Sequence, residues 1–291
     1  MNSRTIALLA VLLVGVLNSA TAGITKKGLE EIPPFSFAFF RFFIAFLCIS
    51  PFFVRNNGYK PSMLKEIAPI SLFATINITF FILGVYLTTA NIGSVIYAVV
   101  PLLAGTILYL FFKEGLARQK VIGIVIGFLG VLVITGLPLL EKGNPFSGNL
   151  LGNLLLTIAV VSWSFYIVYS KKLHKKYSPF MIIGNFIFVT TIILVPFVIW
   201  DTIQHFGWWQ NLTWWGVFSL LYVGVVITIA SYMLYQYAIK HGGSVFSATS
   251  FYVTPVMAFI INYFLLGEKL TPGFIVGSLF ALVGTALVMR K

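Results

Sequence analysis

The chain has 291 residues, of which 59% are hydrophobic and only 9% are charged, so too few charged side chains remain to cover a water-soluble globule of this size. The formal net charge is +12, but the Lys and Arg residues are spread through short loops and form no basic face, which argues against a nucleic-acid partner. Cys48 is the single cysteine, so an intramolecular disulfide and a CxxC site are excluded. The predicted environment is a lipid bilayer.

Ten apolar segments are long enough to cross the hydrocarbon core, which takes about 20 helical residues. They cover residues 5–24, 35–54, 66–87, 91–112, 119–137, 149–170, 179–199, 213–238, 245–266 and 272–289. The first segment also fits the pattern of a cleaved signal peptide, because Arg4 precedes it and a small-residue Ala-Thr-Ala sequence closes it at 20–22. We predict that it is retained, since a shift of 145 residues aligns it with the sixth segment, for example Ser19 with Ser164.

The two halves of the chain are related by an internal repeat. A shift of 154 residues places Pro101 on Pro255, Tyr109 on Tyr263, Glu114 on Glu268, Gly123 on Gly277 and Gly130 on Gly284. We therefore predict a first repeat of five helices over residues 1–138, an outer connecting loop over 139–148 and a second repeat of five helices over 149–291.

The distribution of basic residues predicts the orientation. With a cytoplasmic N-terminus, four basic residues fall outside, Arg41 lies within a segment, and fourteen fall inside: Arg4, Arg55, Lys60, Lys65, Lys113, Arg118, Lys120, Lys171, Lys172, Lys175, Lys176, Lys240, Arg290 and Lys291. This bias places both termini in the cytoplasm. An odd number of helices per repeat then inverts the second copy, so the predicted fold class is an all-α integral membrane protein with ten transmembrane helices arranged as two inverted five-helix repeats. Such repeats are a known basis of alternating access.

The order and spacing of several motifs resemble a known family. The residues that carry the resemblance are Lys26-Lys27, Pro34, Arg41, Pro101, Lys113-Glu114-Gly115, Gly123 and Gly130 in the first half, and Ser162-Trp163, Lys171-Lys172, Pro179, Ala238, Pro255, Gly267-Glu268-Lys269, Gly277 and Gly284 in the second. The chain is similar to ten-helix members of the drug/metabolite transporter superfamily, which are built from two EamA-type repeats.

The resemblance implies a central cavity lined by helices 1, 3, 4, 6, 8 and 9, with helices 5 and 10 packed outside helices 4 and 9. It also implies export or exchange of small metabolites, including amino acids. The sequence departs from the pattern in two places, since the first helix has Asn18-Ser19 where a Trp is common and the second repeat has Phe186 in place of Arg41.

Polar residues within apolar segments are the candidate substrate-binding groups, because an unpaired amide or hydroxyl is costly in hydrocarbon. The candidates are Asn18, Asn77, Tyr97, Trp163, Tyr166, Tyr232, Gln236, Thr249 and Tyr252. Ordinary hydrogen bonding between helices is the alternative for each of them, and it is favoured for Asn185 and Asn262.

Other residues have predicted structural or gating roles. Pro101 and Pro255 each remove a backbone hydrogen bond within a helix, so they are candidate hinges, although a static bend is equally consistent. Glu114 and Glu268 are expected to cap helix corners. Arg41, a basic residue well inside a segment, could extend towards the outer surface or attract a carboxylate substrate. Glycines on one face of segments 5 and 10 predict close helix packing.

A membrane enzyme is the rival class, but the sequence contains no HExxH, GxSxG or glycine-rich phosphate loop. His174, His205 and His241 lie in separate loops, so neither a metal site nor a cofactor is expected. The sequence predicts a secondary transporter in a bacterial-type inner membrane, which moves an amino acid or related amphipathic solute through a central cavity. Two alternatives stay open: a multidrug-type exporter of hydrophobic cations, and a lipid scramblase or structural membrane subunit. The expected partners are the small-molecule substrate and the bilayer, with a homodimer as a further option.

Overall fold

The computed structural model describes residues 3–56, 58, 60–113 and 118–289, and the regular structure in these ranges is helical. The α-helices are α1 Ser3–Ser19, α2 Thr21–Gly28, α3 Pro34–Arg55, α4 Pro61–Leu87, α5 Ala90–Tyr97, α6 Val100–Phe112, α7 Arg118–Leu140, α8 Leu150–Leu173, α9 Pro179–Gln204, α10 Trp214–Leu221, α11 Tyr232–Gly242, α12 Ser244–Ala248, α13 Ser250–Leu266 and α14 Pro272–Met289. Short 3₁₀ turns span Pro145–Ser147 and Trp208–Asn211, and a π-helix spans Tyr222–Ser231.

Nine stretches of helix within the described ranges are long and apolar enough to cross a membrane: Ile6–Gly28, Pro34–Arg55, Pro61–Leu87, Ala90–Phe112, Arg118–Leu140, Pro145–Leu173, Pro179–Gln204, Trp214–Gly242 and Ser244–Leu266. They are numbered below as spans one to nine in chain order, and the tenth predicted segment is span ten. The tenth predicted segment is a shorter apolar helix, Pro272–Val288. All ten predicted segments therefore coincide with helix. The boundaries differ most at the start of α4 and at the end of α9, which extends to Gln204. The helix α4 already begins at Pro61, because proline is favoured in a first turn where its missing N–H is not needed.

The fourth and ninth spans are each interrupted before a proline. The fourth span breaks between α5 and α6 directly before Pro101, which lies in the first turn of α6. Pro255 lies instead inside α13, and the break that precedes it is at Thr249. Proline cannot donate a backbone hydrogen bond and so weakens the preceding turn. A hinge role for the two prolines stays a prediction.

The glycine faces of α7 and α14 pack directly on each other. A Cβ atom added at Gly284 would lie 2.6 Å from the Gly123 carbonyl oxygen and would collide with the Gly127 backbone, and one at Gly130 would overlap the Ala281 backbone. Only residues without a side chain permit this approach. The sequence prediction of close helix packing at these glycines is confirmed.

The remaining helices of the first half pack mainly against helices of the second half. In the described chain α4 lies along α8, α3 along α9, and α1 against α11 and α13. Most of the buried apolar residues between them form one large core, and two small clusters lie apart from it. Asn185 and Asn262 take part in this packing: Asn185 Nδ2 donates to Met63 Sδ on α4 at 3.2 Å, and Asn262 Nδ2 donates to Asn91 Oδ1 on α5 at 2.9 Å. Both side chains thus make the interhelical bonds expected of them.

Candidate functional site in the central cavity

A cavity of about 60 Å³ lies where the two halves meet. Its walls come from α1 to α5 on one side, and from α8, the π-helix, α11 and α13 on the other. The lining residues are Asn18, Thr21, Ala22, Arg41, Asn77, Ile78, Phe81, Gly93, Ser94, Tyr97, Trp163, Ile227, Tyr232, Tyr235, Phe251 and Thr254. This mixture of aromatic rings with a few amides and hydroxyls is typical of a site for a small amphipathic solute.

Five of the nine predicted substrate-binding residues line this cavity, namely Asn18, Asn77, Tyr97, Trp163 and Tyr232. The other four, Tyr166, Gln236, Thr249 and Tyr252, are not among its lining residues. A part in substrate binding stays a prediction for all nine residues.

Gln236 and Tyr166 form a hydrogen-bonded chain between α8 and α11. Gln236 Nε2 donates to the Tyr166 hydroxyl at 2.9 Å, and Gln236 Oε1 lies 2.8 Å from His174 Nε2. Because the amide nitrogen faces Tyr166, its oxygen is left to accept from the Nε2–H of a neutral His174. Burial lowers the pKa of His174 to about 4, and Lys240 acts in the same direction, whereas the bond to Gln236 opposes the shift.

An aromatic cluster forms one wall of the cavity. The Trp163 ring lies 5.4 Å from the Tyr232 ring and 5.8 Å from the Tyr235 ring, while Phe251 lies 5.7 Å from Tyr97. Rings at these separations pack favourably in offset or tilted arrangements. Trp163 is 4% exposed, and its indole N–H has no well-aligned acceptor among the described residues. The cluster thus offers apolar faces, and the Trp163 indole N–H lies close to the Tyr235 hydroxyl.

Asn77 joins three helices beside these rings. Its Nδ2 donates to the Ala159 carbonyl on α8 at 2.8 Å and to the Tyr97 hydroxyl on α5. The Oδ1 atom accepts no hydrogen bond from the described protein. The side chain is therefore held in place by its donor end, and its acceptor end stays available.

Arg41 lines the cavity too, although the sequence left its role open. The side chain is 1% exposed, so it does not extend to the membrane surface. Its Nε donates to Thr228 Oγ1 at 2.8 Å and its Nη2 donates to the Tyr232 hydroxyl at 2.9 Å. The guanidinium carbon also lies 5.7 Å from the centre of the Tyr232 ring. Its place as a basic residue well inside an apolar segment was the signal that could have assigned it to the site.

The second repeat has no cation at the equivalent position. Phe186 replaces Arg41 there and is fully buried. Its ring lies 5.9 Å from the Tyr232 ring, so Tyr232 contacts both members of the pair that the repeat relates. The second repeat therefore places an aromatic ring, and no cation, beside Tyr232.

The described carboxylates are all engaged away from the cavity. Four of them accept hydrogen bonds at helix N-termini in the opposite half of the chain: Glu31 from Thr213 N at 2.8 Å, Glu141 from Gly273 N at 2.8 Å, Asp201 from Ser36 N at 2.8 Å, and Glu268 from Ala90 N and Asn91 N at 2.7 and 2.9 Å. Carboxylates at these positions satisfy free N–H groups and complement the helix dipole. The other two pair with lysines, Glu30 with Lys27 and Glu66 with Lys176. Glu114 falls outside the described residues.

Two of the capping carboxylates have perturbed pKa values. Burial raises the pKa of Glu268, although the two backbone N–H groups and Lys26 favour its charged form. Desolvation also acts to raise the pKa of Glu141, but hydrogen bonds from Ser147, Thr271 and the Gly273 N–H outweigh it and hold the pKa below its usual range. Within the part of the chain that the structure describes, no group of three His, Cys, Asp or Glu side chains is arranged to hold a metal ion.

Comparisons with known proteins agree with this architecture. A model of the EamA-like transporter family matches residues 5–136 and again residues 150–290. Similar proteins include an uncharacterized transporter of Archaeoglobus fulgidus, which is 26% identical over 91% of this chain and 92% of its own length. The uncharacterized transporter YdfC of Bacillus subtilis is 27% identical over 96% of this chain and 89% of its own.

A chloroplastic WAT1-related protein of Arabidopsis thaliana is 27% identical over 90% of this chain and 64% of its own length. A crystal structure of a protein with 16% sequence identity superposes with a TM-score of 0.64 and covers 99% of this chain and 96% of that one. The last similarity shows a shared fold.

Proposed function

Since the chain belongs to the EamA-like transporter family, we propose that it is a secondary transporter that moves a small metabolite through the central cavity by alternating access. The observation that carries this proposal is that both halves of the chain wall the cavity, with Arg41 and Tyr97 from the first and Trp163 and Tyr232 from the second. A solute bound there contacts both halves, so rocking of one half against the other changes the side to which the solute is released.

The helix contacts support two inverted five-helix repeats, with residues 1–138 in one and 149–291 in the other. The repeat makes α4 equivalent to α11 and α8 equivalent to α1, so the contact of α4 with α8 corresponds to the contact of α11 with α1, and both contacts are present. The packing of α5 on α13 corresponds in the same way to the packing of α12 on α6. The equivalent helices α7 and α14 pack on each other. Two repeats related by a two-fold axis in the membrane plane have this pattern of contacts.

The proposed location is the inner membrane of a bacterial-type cell, with both termini in the cytoplasm. The excess of Lys and Arg in the segments that this orientation puts inside supports it.

The proposed substrate is an amino acid or a related amphipathic solute. The aromatic cluster around Trp163 provides faces for an apolar group, and the free acceptor of Asn77 can take an amino N–H. A hydrophobic cation fits less well, because Arg41 already places a positive charge in the wall and the described carboxylates lie elsewhere.

Solute counterflow into liposomes tests the transporter. We expect vesicles that contain the purified protein and an excess of unlabelled amino acids to accumulate a labelled amino acid transiently from outside. Vesicles loaded with the same amino acids but lacking the protein should accumulate none. Trp163→Ala should abolish the accumulation, because it removes the centre of the aromatic cluster.

The matched control is Trp214→Ala, which removes the same side chain from a position that is 70% exposed. It should leave counterflow intact. Wild-type vesicles that accumulate none of the amino acids, or a Trp163→Ala variant that folds and transports normally, would contradict the proposal.

A further inference from the structure

The charge of Arg41 has no counter-ion within the described chain. Its guanidinium is buried, and the six described carboxylates are bound to helix N-termini or to lysines elsewhere. A buried cation without a partner carries a large desolvation penalty and is rare inside a membrane protein unless it serves a function. A ligand that brings a negative charge would remove the imbalance.

The groups around Arg41 hold the guanidinium in one orientation. Thr228 and Tyr232 accept from two of its three nitrogens, and Thr228 in turn donates to the Val223 carbonyl at 2.8 Å. Residues 223 and 228 are five apart, which is the hydrogen-bond spacing of the π-helix Tyr222–Ser231. The π-helix thus places the Thr228 hydroxyl where it accepts from Arg41 and donates to the Val223 carbonyl. Turns of π-helix are frequent at functional sites.

The third nitrogen, Nη1, makes no hydrogen bond with the described residues. Its two N–H groups and the second N–H of Nη2 are still available. A planar guanidinium with free donors on one edge matches the two oxygens of a carboxylate, which it binds more strongly than a neutral acceptor. The neutral hydroxyls of Thr228 and Tyr232, on the other edge, hold the guanidinium in place without neutralising its charge.

We propose that Arg41 binds the carboxylate of the solute in the central cavity, which makes the site selective for small organic carboxylates with an apolar or aromatic body. This inference rests on the proposed function and adds the substrate class. The aromatic wall around Trp163 receives the apolar body, and Arg41, which lies beside Tyr232 in that wall, fixes the position of the carboxylate. Phe186, at the equivalent position of the second repeat, packs there without a competing charge.

Binding of matched solutes to the purified protein tests the proposal. Labelled 3-phenylpropionate is measured by equilibrium dialysis, in competition with the neutral 3-phenylpropionamide and the cationic 3-phenylpropylamine. A second pair, L-phenylalanine and L-phenylalaninamide, repeats the comparison with an amino group present. We expect each acid to bind about tenfold or more tightly than its amide, since a charge-assisted hydrogen bond is about twice as strong as a neutral one.

The preference for the acid over the amide should disappear in Arg41→Gln. It should persist in weakened form in Arg41→Lys, which keeps the positive charge and lacks the planar guanidinium that binds both carboxylate oxygens. Arg55→Gln is the matched control, because it makes the same substitution at an exposed arginine near the end of α3, and it should retain the wild-type preference. If Arg41→Gln does not fold, the comparison within the wild type and the Arg41→Lys variant still decide. Equal binding of acid and amide by the wild type, absence of binding of both acids, or an unchanged preference in Arg41→Gln would overturn the proposal.

Counterflow of the same solutes separates this inference from the transport function. Carboxylate binding that depends on Arg41 without any counterflow would support the site and contradict transport. Counterflow of amides and acids alike, unchanged in Arg41→Gln, would support transport and overturn the role of Arg41.

Discussion

The Glu268 carboxylate accepts the backbone N–H of Ala90 at 2.7 Å, although 178 residues separate the two in the chain. Glu31, Glu141 and Asp201 make equivalent bonds to helix starts in the opposite half. In the proposed topology successive spans run in opposite directions, and each of these acids follows or ends an odd-numbered span while each capped helix begins an even-numbered one. The four contacts therefore lie on one side of the bundle. This side, formed by the four acids and the helix ends they cap, is called the capped face below.

Removal of the Glu268 side chain should destabilise the fold. Glu268→Ala leaves the buried N–H groups of Ala90 and Asn91 without an acceptor, which costs about 1–3 kcal/mol. Glu268→Gln should destabilise the fold less, because it keeps one oxygen as an acceptor. It also removes a carboxylate charge that burial disfavours, since burial raises the pKa of Glu268. Thermal unfolding in detergent measures both variants. Glu30→Ala is the control, since its partly exposed pair with Lys27 is worth about 0–1 kcal/mol. Equal melting temperatures for Glu268→Ala and Glu30→Ala would show that the cap is unimportant.

The contact between α7 and α14 predicts opposite effects for one substitution at two glycines. Gly284→Ala forces the helices apart, because its Cβ would collide with the Gly127 backbone, and we expect a loss of about 1–3 kcal/mol. Gly136→Ala, on α7 with nothing within 4 Å of the added atom, should stabilise the helix by up to about 1 kcal/mol. Melting temperatures that fall for Gly284→Ala and rise or hold for Gly136→Ala are the expected result. A tolerated Gly284→Ala would contradict the close approach.

The burial of His174 predicts a loss of stability in mild acid. Its pKa is about 4 in the folded protein and 6.5 for an ordinary histidine, so the unfolded chain binds more protons between these values. The stability contributed by neutral His174 is complete above pH 6.5 and is lost as the pH falls towards 4. Nearby Lys240 and His241 add to the shift, while bonds to Gln236 and the Tyr177 backbone oppose it.

We expect the free energy of unfolding to fall by about 1–2 kcal/mol between pH 7.5 and pH 5, after allowance for the partial exposure of the ring. His174→Gln should lose most of this dependence, whereas His205→Gln, in a half-exposed position, should keep it. Parallel curves for wild type and His174→Gln would exclude His174 as the cause.

The helices were predictable and the polar contacts were not, for a physical reason. Hydrocarbon requires about 20 apolar residues per span, so the segments are visible in sequence, and so are the small residues of α7 and α14. The partner of a carboxylate depends on which helix ends meet in space. Asp201 was predicted to lie in a loop after residue 199, whereas α9 continues to Gln204 and brings Asp201 to Ser36, 165 residues away. Arg41 is similar, because its partner Thr228 is set by a π-helix that no local pattern indicates.

The capped face is expected to act as a gate. If the protein alternates its access, this face opens only when the bonds of Asp201 and Glu268 to the first half are broken, and each cap is worth about 1 kcal/mol. Replacing both with Ala removes these acceptors and should therefore raise the population open on this face by about tenfold or more. In a Cys48→Ser background, Ala22→Cys places a single thiol in the cavity wall. A membrane-impermeant maleimide added to the capped face should label this thiol about tenfold faster in the double variant.

Glu66→Gln, which breaks the exposed pair with Lys176 on the opposite side, should leave the labelling rate from the capped face unchanged or lower. Equal rates with and without the caps would mean that these carboxylates stabilise the helices without holding the gate.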